Sequence, residues 1–238
     1  MQFFNSAEPI FRHKQHTLDI QDRLGLLQIH WQMGNWTLFS RFYTRIDQIF
    51  VVWGLITALI FVVAQFSPIS WTQQALLWTS LTLLGVVAMA VLAWFWVTVE
   101  RLRWLIYSWA GLMGLGILYT DLGILCGYWQ FLLYLCPVWL GLSAVGYLIT
   151  GFGMGSRTFV LTGIVHLLVI PLLPYATGWQ FLVTGLVMAG SLLFLSEVQW
   201  DMRLPIEYEL LTPEQREFNQ EQHRLRRLGS LSRVGERL

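Results

Sequence analysis

QIFVVWGLITALIFVVAQF (48–66), SPIS (67–70) and WTQQALLWTSLTLLGVVAMAVLAWFWVTV (71–99) fill the interval between Asp47 and Glu100 without one charged side chain. A helix needs about 20 mostly apolar residues to cross the hydrocarbon core of a bilayer, and the interval holds two such lengths. Ser67-Pro68-Ile69-Ser70 divides it, because proline and serine favour turns. Spans are expected over 48–66 and 75–99.

The same reading extends outward. Glu100-Arg101-Leu102-Arg103 is a short polar link to a third span over 104–124. A turn around Cys126-Gly127-Tyr128 leads to a fourth over 129–150, and the glycine-rich link 151–157 to a fifth over 158–175. A turn from Pro174 to Gly178 opens the last, over 179–197. The expected fold is all-α: a polytopic membrane helix bundle of about six spans in a transmembrane domain over 48–198. It is flanked by an N-terminal tail (1–47) and a C-terminal tail (199–238). Hydrophobic residues make up 55% of the chain and charged ones 12%, against about 25% charged in soluble domains. Such a surface has to face lipid, which excludes a water-soluble globular protein. The chain before Ile49 is polar, so no cleaved secretory signal is expected.

Charge distribution sets orientation. Of the 15 Lys and Arg residues, five lie in the N-terminal tail, two in the second link, one in the fourth and seven in the C-terminal tail. The first, third and fifth links carry none. By the positive-inside rule both termini are expected in the cytoplasm. The composition, rich in Trp and Gln with Lys14 as its one lysine, suits a bacterial inner membrane or a thylakoid membrane. Trp71, Trp78, Trp129 and Trp179 fall near the outer ends of spans and Trp94, Trp96, Trp104 and Trp200 near the inner ends, as two interfacial belts would.

In the N-terminal tail, Leu18, Ile20, Leu24, Leu27 and Trp31 suit one face of a helix, and Asn35 could cap a second that merges into the first span. Residues 17–46 are therefore expected to lie along the membrane surface as an interfacial helix. The alternative is a strand pair, because Leu27 to Met33 also alternates apolar and polar residues. In the C-terminal tail, Thr212-Pro213-Glu214-Gln215 is a helix-start signal, and a polar helix is expected over 213–228. Arg224, Arg226, Arg227, Arg233 and Arg237 form a basic cluster suited to anionic lipid headgroups or a protein partner.

Ionisable groups inside a span are functional candidates, because they are costly there. His166 falls in the middle of the fifth span and Asp121 near the outer end of the third. At about 1.5 Å per residue, Ser143 lies about 10 Å and His166 about 12 Å from the inner ends of consecutive helices. A Ser–His pair is the minimum for nucleophilic catalysis. Gly141-Leu142-Ser143-Ala144 resembles the Gly-x-Ser-Gly motif of rhomboid intramembrane proteases, which would imply Ser143 as nucleophile. The chain departs from that pattern at Ala144, where the motif has glycine, and in carrying its histidine on the fifth span rather than the sixth. A lone histidine is also a sound axial ligand for haem or chlorophyll, but no second intramembrane histidine completes a b-type pair, and no cofactor is expected. His13 and His16 lack further ligands for a metal. Cys126 and Cys136 sit at different expected depths, which opposes a disulfide. Gly123 and Gly127, Gly151 and Gly155, and Gly185 and Ala189 are small residues four apart that let helices approach closely, within a bundle or between copies of the chain.

No glycine pattern for a nucleotide is present, and no nucleic-acid partner is expected. The shortage of polar groups in the spans, beside well-formed tails, points to a non-enzymatic accessory protein: an assembly factor, a scaffold or a subunit of a larger membrane complex. The alternative is a small transporter or channel for a neutral or weakly polar solute, using the proline-interrupted spans four and five with Asp121 and His166.

Overall fold

The computed structural model describes residues 4–5, 9–34, 36–203 and 210–235, with the side chains of 37–38 and 227–235 excepted. In chain order they form β1 (Phe11–Arg12), α1 (Ile20–Arg23), β2 (Leu27–Met33), β3 (Trp36–Tyr43), α2 (Arg45–Phe66), α3 (Trp71–Val99), α4 (Arg103–Leu125), α5 (Trp129–Leu133), α6 (Leu135–Met154), α7 (Arg157–Val169), a 3-10 turn (Ile170–Ala176), α8 (Gln180–Glu197), β4 (Gln199–Trp200) and α9 (Pro213–Gly235). Among the described residues six helical segments are long and apolar enough to cross a membrane: α2, α3, α4, α6, α7 with its 3-10 extension, and α8. The protein is a helical integral membrane protein. Large apolar side chains stay exposed along the outer faces, Leu55, Leu59 and Val62 on α2 and Leu83, Leu84, Val87 and Val91 on α3 among them. Exposed apolar surface on that scale needs an apolar solvent.

The span boundaries follow local chemistry. Thr44 caps α2 by accepting from the backbone N–H of Asp47, while the Asp47 carboxylate accepts from the Thr44 N–H at 2.8 Å. Ser70 and Gln73 make the same reciprocal box at the start of α3. Both boxes satisfy N–H groups that a helix end otherwise leaves bare. The expected fourth span is broken. The ring of Pro137 would meet the carbonyl of Leu133 in a continuous helix, so α5 ends at Leu133 and α6 restarts at Leu135. Pro171 and Pro174 likewise end α7 at Val169 and leave the rest of that crossing in 3-10 form. Gly155 ends α6 at φ +60°, a left-handed cap that lets the chain reverse into α7.

The helices pair α2 with α8, α6 with α7, and α3 with both α2 and α4. Lipid removes the hydrophobic drive between helices, so close packing has to hold them. A Cβ at Gly185 would lie 2.6 Å from Cβ of Phe61 and one at Gly54 2.9 Å from Leu193, which brings α2 and α8 close together. Ala189, one turn on from Gly185, is buried in the same helix. Gly151 lets the start of α7 approach, its missing Cβ standing 2.7 Å from Val160, and Gly123 does so for Phe131 at 3.0 Å. The pairing expected of the other two glycines is corrected: Gly155 is the helix cap, and Gly127, at φ +74° with open space around it, is a turn residue.

The tails differ most from expectation. The interfacial helix over 17–46 is replaced by the single turn α1 and an antiparallel hairpin, in which Leu27 pairs with Tyr43 and Trp31 with Phe39. Residues 27–33 alternate, and alternation suits a strand, whereas helix spacing had to borrow Leu18 and Ile20 from the segment before Gly25. The expected cap at Asn35 lies outside the described residues; Thr44 starts the helix instead. In the C-terminal tail α9 begins at Pro213 and runs past Gly229 to Gly235.

Candidate functional site

The two tails fold onto the same end of the bundle. β1 pairs with β4, Phe11 opposite Trp200. The backbone N–H of Ile20 donates to Asn219 Oδ1 at 2.8 Å, Asn219 Nδ2 donates to Gln21 at 3.1 Å, and Gln21 Nε2 donates to Glu100 at 3.1 Å. Asn219 and Gln21 are buried, so this chain ties α9, α1 and the end of α3 together away from water. Asp19 accepts from Arg226 and from His223. Trp96 Nε1 donates to Asp22 at 2.9 Å. Lys14 pairs with Asp47 at 2.8 Å at the start of α2. Asp201 is fully enclosed at the start of α7, where it accepts from Ser156 Oγ, from both the N–H and the hydroxyl of Thr158, and from the N–H and Nε of Arg157, all at 2.8–3.0 Å. A helix N-terminus with a cation beside it favours a carboxylate.

These elements surround a chamber of about 660 Å³ lined by both charge signs, among them Arg12, Lys14, Asp47, Glu100, Arg203 and Arg226. All five residues of the expected basic cluster need correction or lie out of view. Arg226 is spent on Asp19 inside the protein, and Arg224 pairs with Glu221 on its own helix at 2.9 Å. The side chains of Arg227 and Arg233, and all of Arg237, lie outside the described residues.

A second cavity, about 110 Å³, lies within the bundle. Both Ser143 and His166 line it. Nδ1 of His166 bonds the carbonyl of Thr162 at 2.8 Å; a carbonyl can only accept, so Nδ1 carries the proton and Nε2 of the neutral ring is an acceptor. Nε2 has no hydrogen-bond partner among the described residues. The Ser143 hydroxyl therefore does not engage the ring, and the two residues share a wall without forming a nucleophile–base pair. Trp78 lines the same cavity, buried, with its Nε1–H likewise without a partner among the described residues. Trp78 and Trp96 are thus core residues rather than members of an interfacial belt, whereas Trp71, Trp94, Trp104, Trp129 and Trp179 are exposed. Sequence position alone does not separate the two sets. A porphyrin does not fit this space: pockets for drug-sized ligands run to about 300 Å³ or more.

Asp121 stands apart from both cavities. Its two carboxylate oxygens accept from the Thr79 hydroxyl at 3.1 Å, joining α4 to α3. Cys126 is exposed and Cys136 buried, and both are free thiols. Among the described residues no group of three His, Cys, Asp or Glu is placed to hold a metal ion. No family model, curated protein or solved structure matches the chain.

The hairpin β2–β3 is the third feature. Every residue of β2 is exposed. Leu27, Ile29, Trp31 and Met33 alternate onto one face and pair across to Tyr43, Arg41, Phe39 and Trp36. Trp31, Met33 and Trp36 are 67%, 70% and 77% exposed. Gln28, His30 and Gln32 take the other face. An isolated two-stranded hairpin is marginal in water, and this one leaves its apolar face uncovered.

Proposed function

We propose that the protein is a non-enzymatic accessory component of a larger membrane complex, held in a bacterial inner or thylakoid membrane with both tails cytoplasmic. The observation that carries this reading is the uncovered apolar face of the hairpin, mounted through Thr44 on the first span and backed by a lobe made from both tails. Trp and Met are enriched where proteins meet, and a patch of this kind on a membrane protein's polar end fits the apolar surface of a neighbouring protein. The Ser143–His166 geometry gives no support to hydrolysis. The positive-inside charge distribution supports the orientation. Purification of the full chain in mild detergent tests the role: the wild type co-purifies stoichiometrically with one membrane complex, and the Trp31→Ser/Trp36→Ser variant, folded but alone, does not. A monodisperse lone chain in both cases would contradict it. Cys126 is a natural reporter of orientation: an impermeant maleimide added to intact cells labels it, and a label gained only after lysis would reverse the assignment.

The transport alternative draws on one observation. Ile46 and Asp47 line the chamber between the tails, and Ile49 and Phe50, one turn further along α2, line the cavity within the bundle. Phe159 on the cavity side meets Trp200 on the chamber side edge to face at 5.0 Å.

A further inference from the structure

We propose that the cavity within the bundle binds a small, neutral, mostly apolar molecule carrying one hydroxyl group, of the size and kind of a phenol. The inference does not rest on the accessory role. Its basis is a pair of buried polar atoms of opposite type in one apolar space. His166 has 0% and Trp78 2% of its surface exposed. Nε2 of the first is an acceptor fixed by the Nδ1–Thr162 bond, and Nε1 of the second is a donor; neither has a partner among the described residues. Buried polar groups in native proteins are nearly always satisfied, and each exception calls for an explanation.

The occupant's chemistry follows from this pair. A hydroxyl is both donor and acceptor, so it matches either atom: it can give its proton to His166 Nε2 or accept from Trp78 Nε1–H. A ketone or ether, acceptor only, leaves the histidine unmet, and a hydrocarbon leaves both unmet. None of the lining residues is Asp, Glu, Lys or Arg, so a charged ligand finds no counter-charge and would be costly to bury. Apart from the hydroxyl-bearing Thr57, Thr82, Ser143, Tyr147 and Thr150, the rest of the wall is apolar, with Trp53, Phe61, Trp139, Met113 and Met188 among the residues lining it. At about 110 Å³ the space is of the order of an engineered cavity of about 150 Å³ that admits benzene, which limits the ligand to about one ring.

The test uses the purified full chain in nanodiscs with 4-fluorophenol and fluorobenzene as probes, each followed by fluorine NMR and competed with unlabelled phenol or benzene. The expected result is saturable binding of 4-fluorophenol, about tenfold tighter than fluorobenzene, a difference typical of one or two neutral hydrogen bonds. His166→Phe or Trp78→Phe removes most of that preference while fluorobenzene binding holds. Equal affinity for the two probes, or no saturable binding of 4-fluorophenol, overturns the proposal on the wild type alone, whatever the folding of the variants. A preference that survives in both folded variants overturns it as well. A cavity filled by water that ligands cannot displace gives the no-binding result.

Discussion

Asp19, in the N-terminal tail, accepts a hydrogen bond from the guanidinium of Arg226, 207 positions further along the chain. The Asp19 carboxylate is nearly closed to solvent and the Arg226 side chain largely so. The contact fixes both tails to one end of the bundle and removes Arg226 from any role as a free surface cation. Arg226→Ala leaves the Asp19 carboxylate with His223 Nε2 as its other side-chain partner, and breaking a buried pair is costly. Exchange protection of Ile20–Arg23 and of the first turns of α9 is expected to drop together. A double-mutant cycle with Asp19→Ala is expected to return a coupling of about 1–3 kcal/mol. Protection unchanged in either segment would mean that the tails dock by other contacts.

Asp22 makes this lobe sensitive to pH. Its carboxyl is pushed up to about 7, first by removal from water and then by the charge of Asp19, with the Trp96 N–H acting in the opposite sense. The folded chain therefore holds a proton that the unfolded chain releases from about pH 4 upward, and stability falls as pH rises toward 7 before levelling off. Exchange protection of α1 is expected to be stronger at pH 5 than at pH 8. Asp22→Asn keeps the bond from Trp96 and is expected to flatten that difference; the same pH dependence in the variant would assign it to another group.

Asp201 carries the opposite sign. Burial alone would raise its carboxyl, but the side chain and N–H of Arg157 and the two donors of Thr158 outweigh burial and hold it below the ordinary carboxylate value. Its contribution to stability is present above the unfolded value and is lost as pH falls through the depressed one. Asp201→Asn replaces an acceptor of five bonds by a group that turns a donor toward the same N–H groups. A loss of about 2–4 kcal/mol is expected from such a buried network, read as a lower unfolding midpoint. A change within about 0.5 kcal/mol, typical of surface substitutions, would show the network to be incidental.

Two glycines separate packing from propensity. Gly185→Ala places a Cβ at 2.6 Å from Phe61, whereas Gly111→Ala meets nothing within 4 Å. The first is expected to destabilise by about 1–3 kcal/mol, as overpacking does, and the second to be neutral or stabilising by up to about 1 kcal/mol through helix propensity. Thermal unfolding in detergent compares them, and equal effects would remove the close α2–α8 contact from the account.

The spans were legible because length and apolarity suffice to define a crossing, and Asp47, Glu100 and Ser67-Pro68 punctuate them plainly. Pro137 and Pro171 were visible too, yet sequence does not say whether such a proline kinks a helix or breaks it; here it breaks both. The hairpin was half legible: the alternation from Leu27 to Met33 competed with a helical spacing that crossed Gly25, where φ is +76°. The tail network was not legible, since Gln21, Asn219 and Asp201 are ordinary polar residues until long-range folding encloses them. His166 stood out because a histidine in a span is rare. Trp78 did not, because tryptophan at a helix end reads equally as an anchor.

The accessory role rests on a protein surface covering the hairpin, and a photo-crosslinking residue placed there reports what touches it. In native membranes, p-benzoylphenylalanine in place of Trp36 is expected to form one discrete adduct with another membrane protein, while the same group in place of His30, on the polar face, forms none. Adducts with lipid alone from position 36, or equal adducts from both faces, would contradict the account.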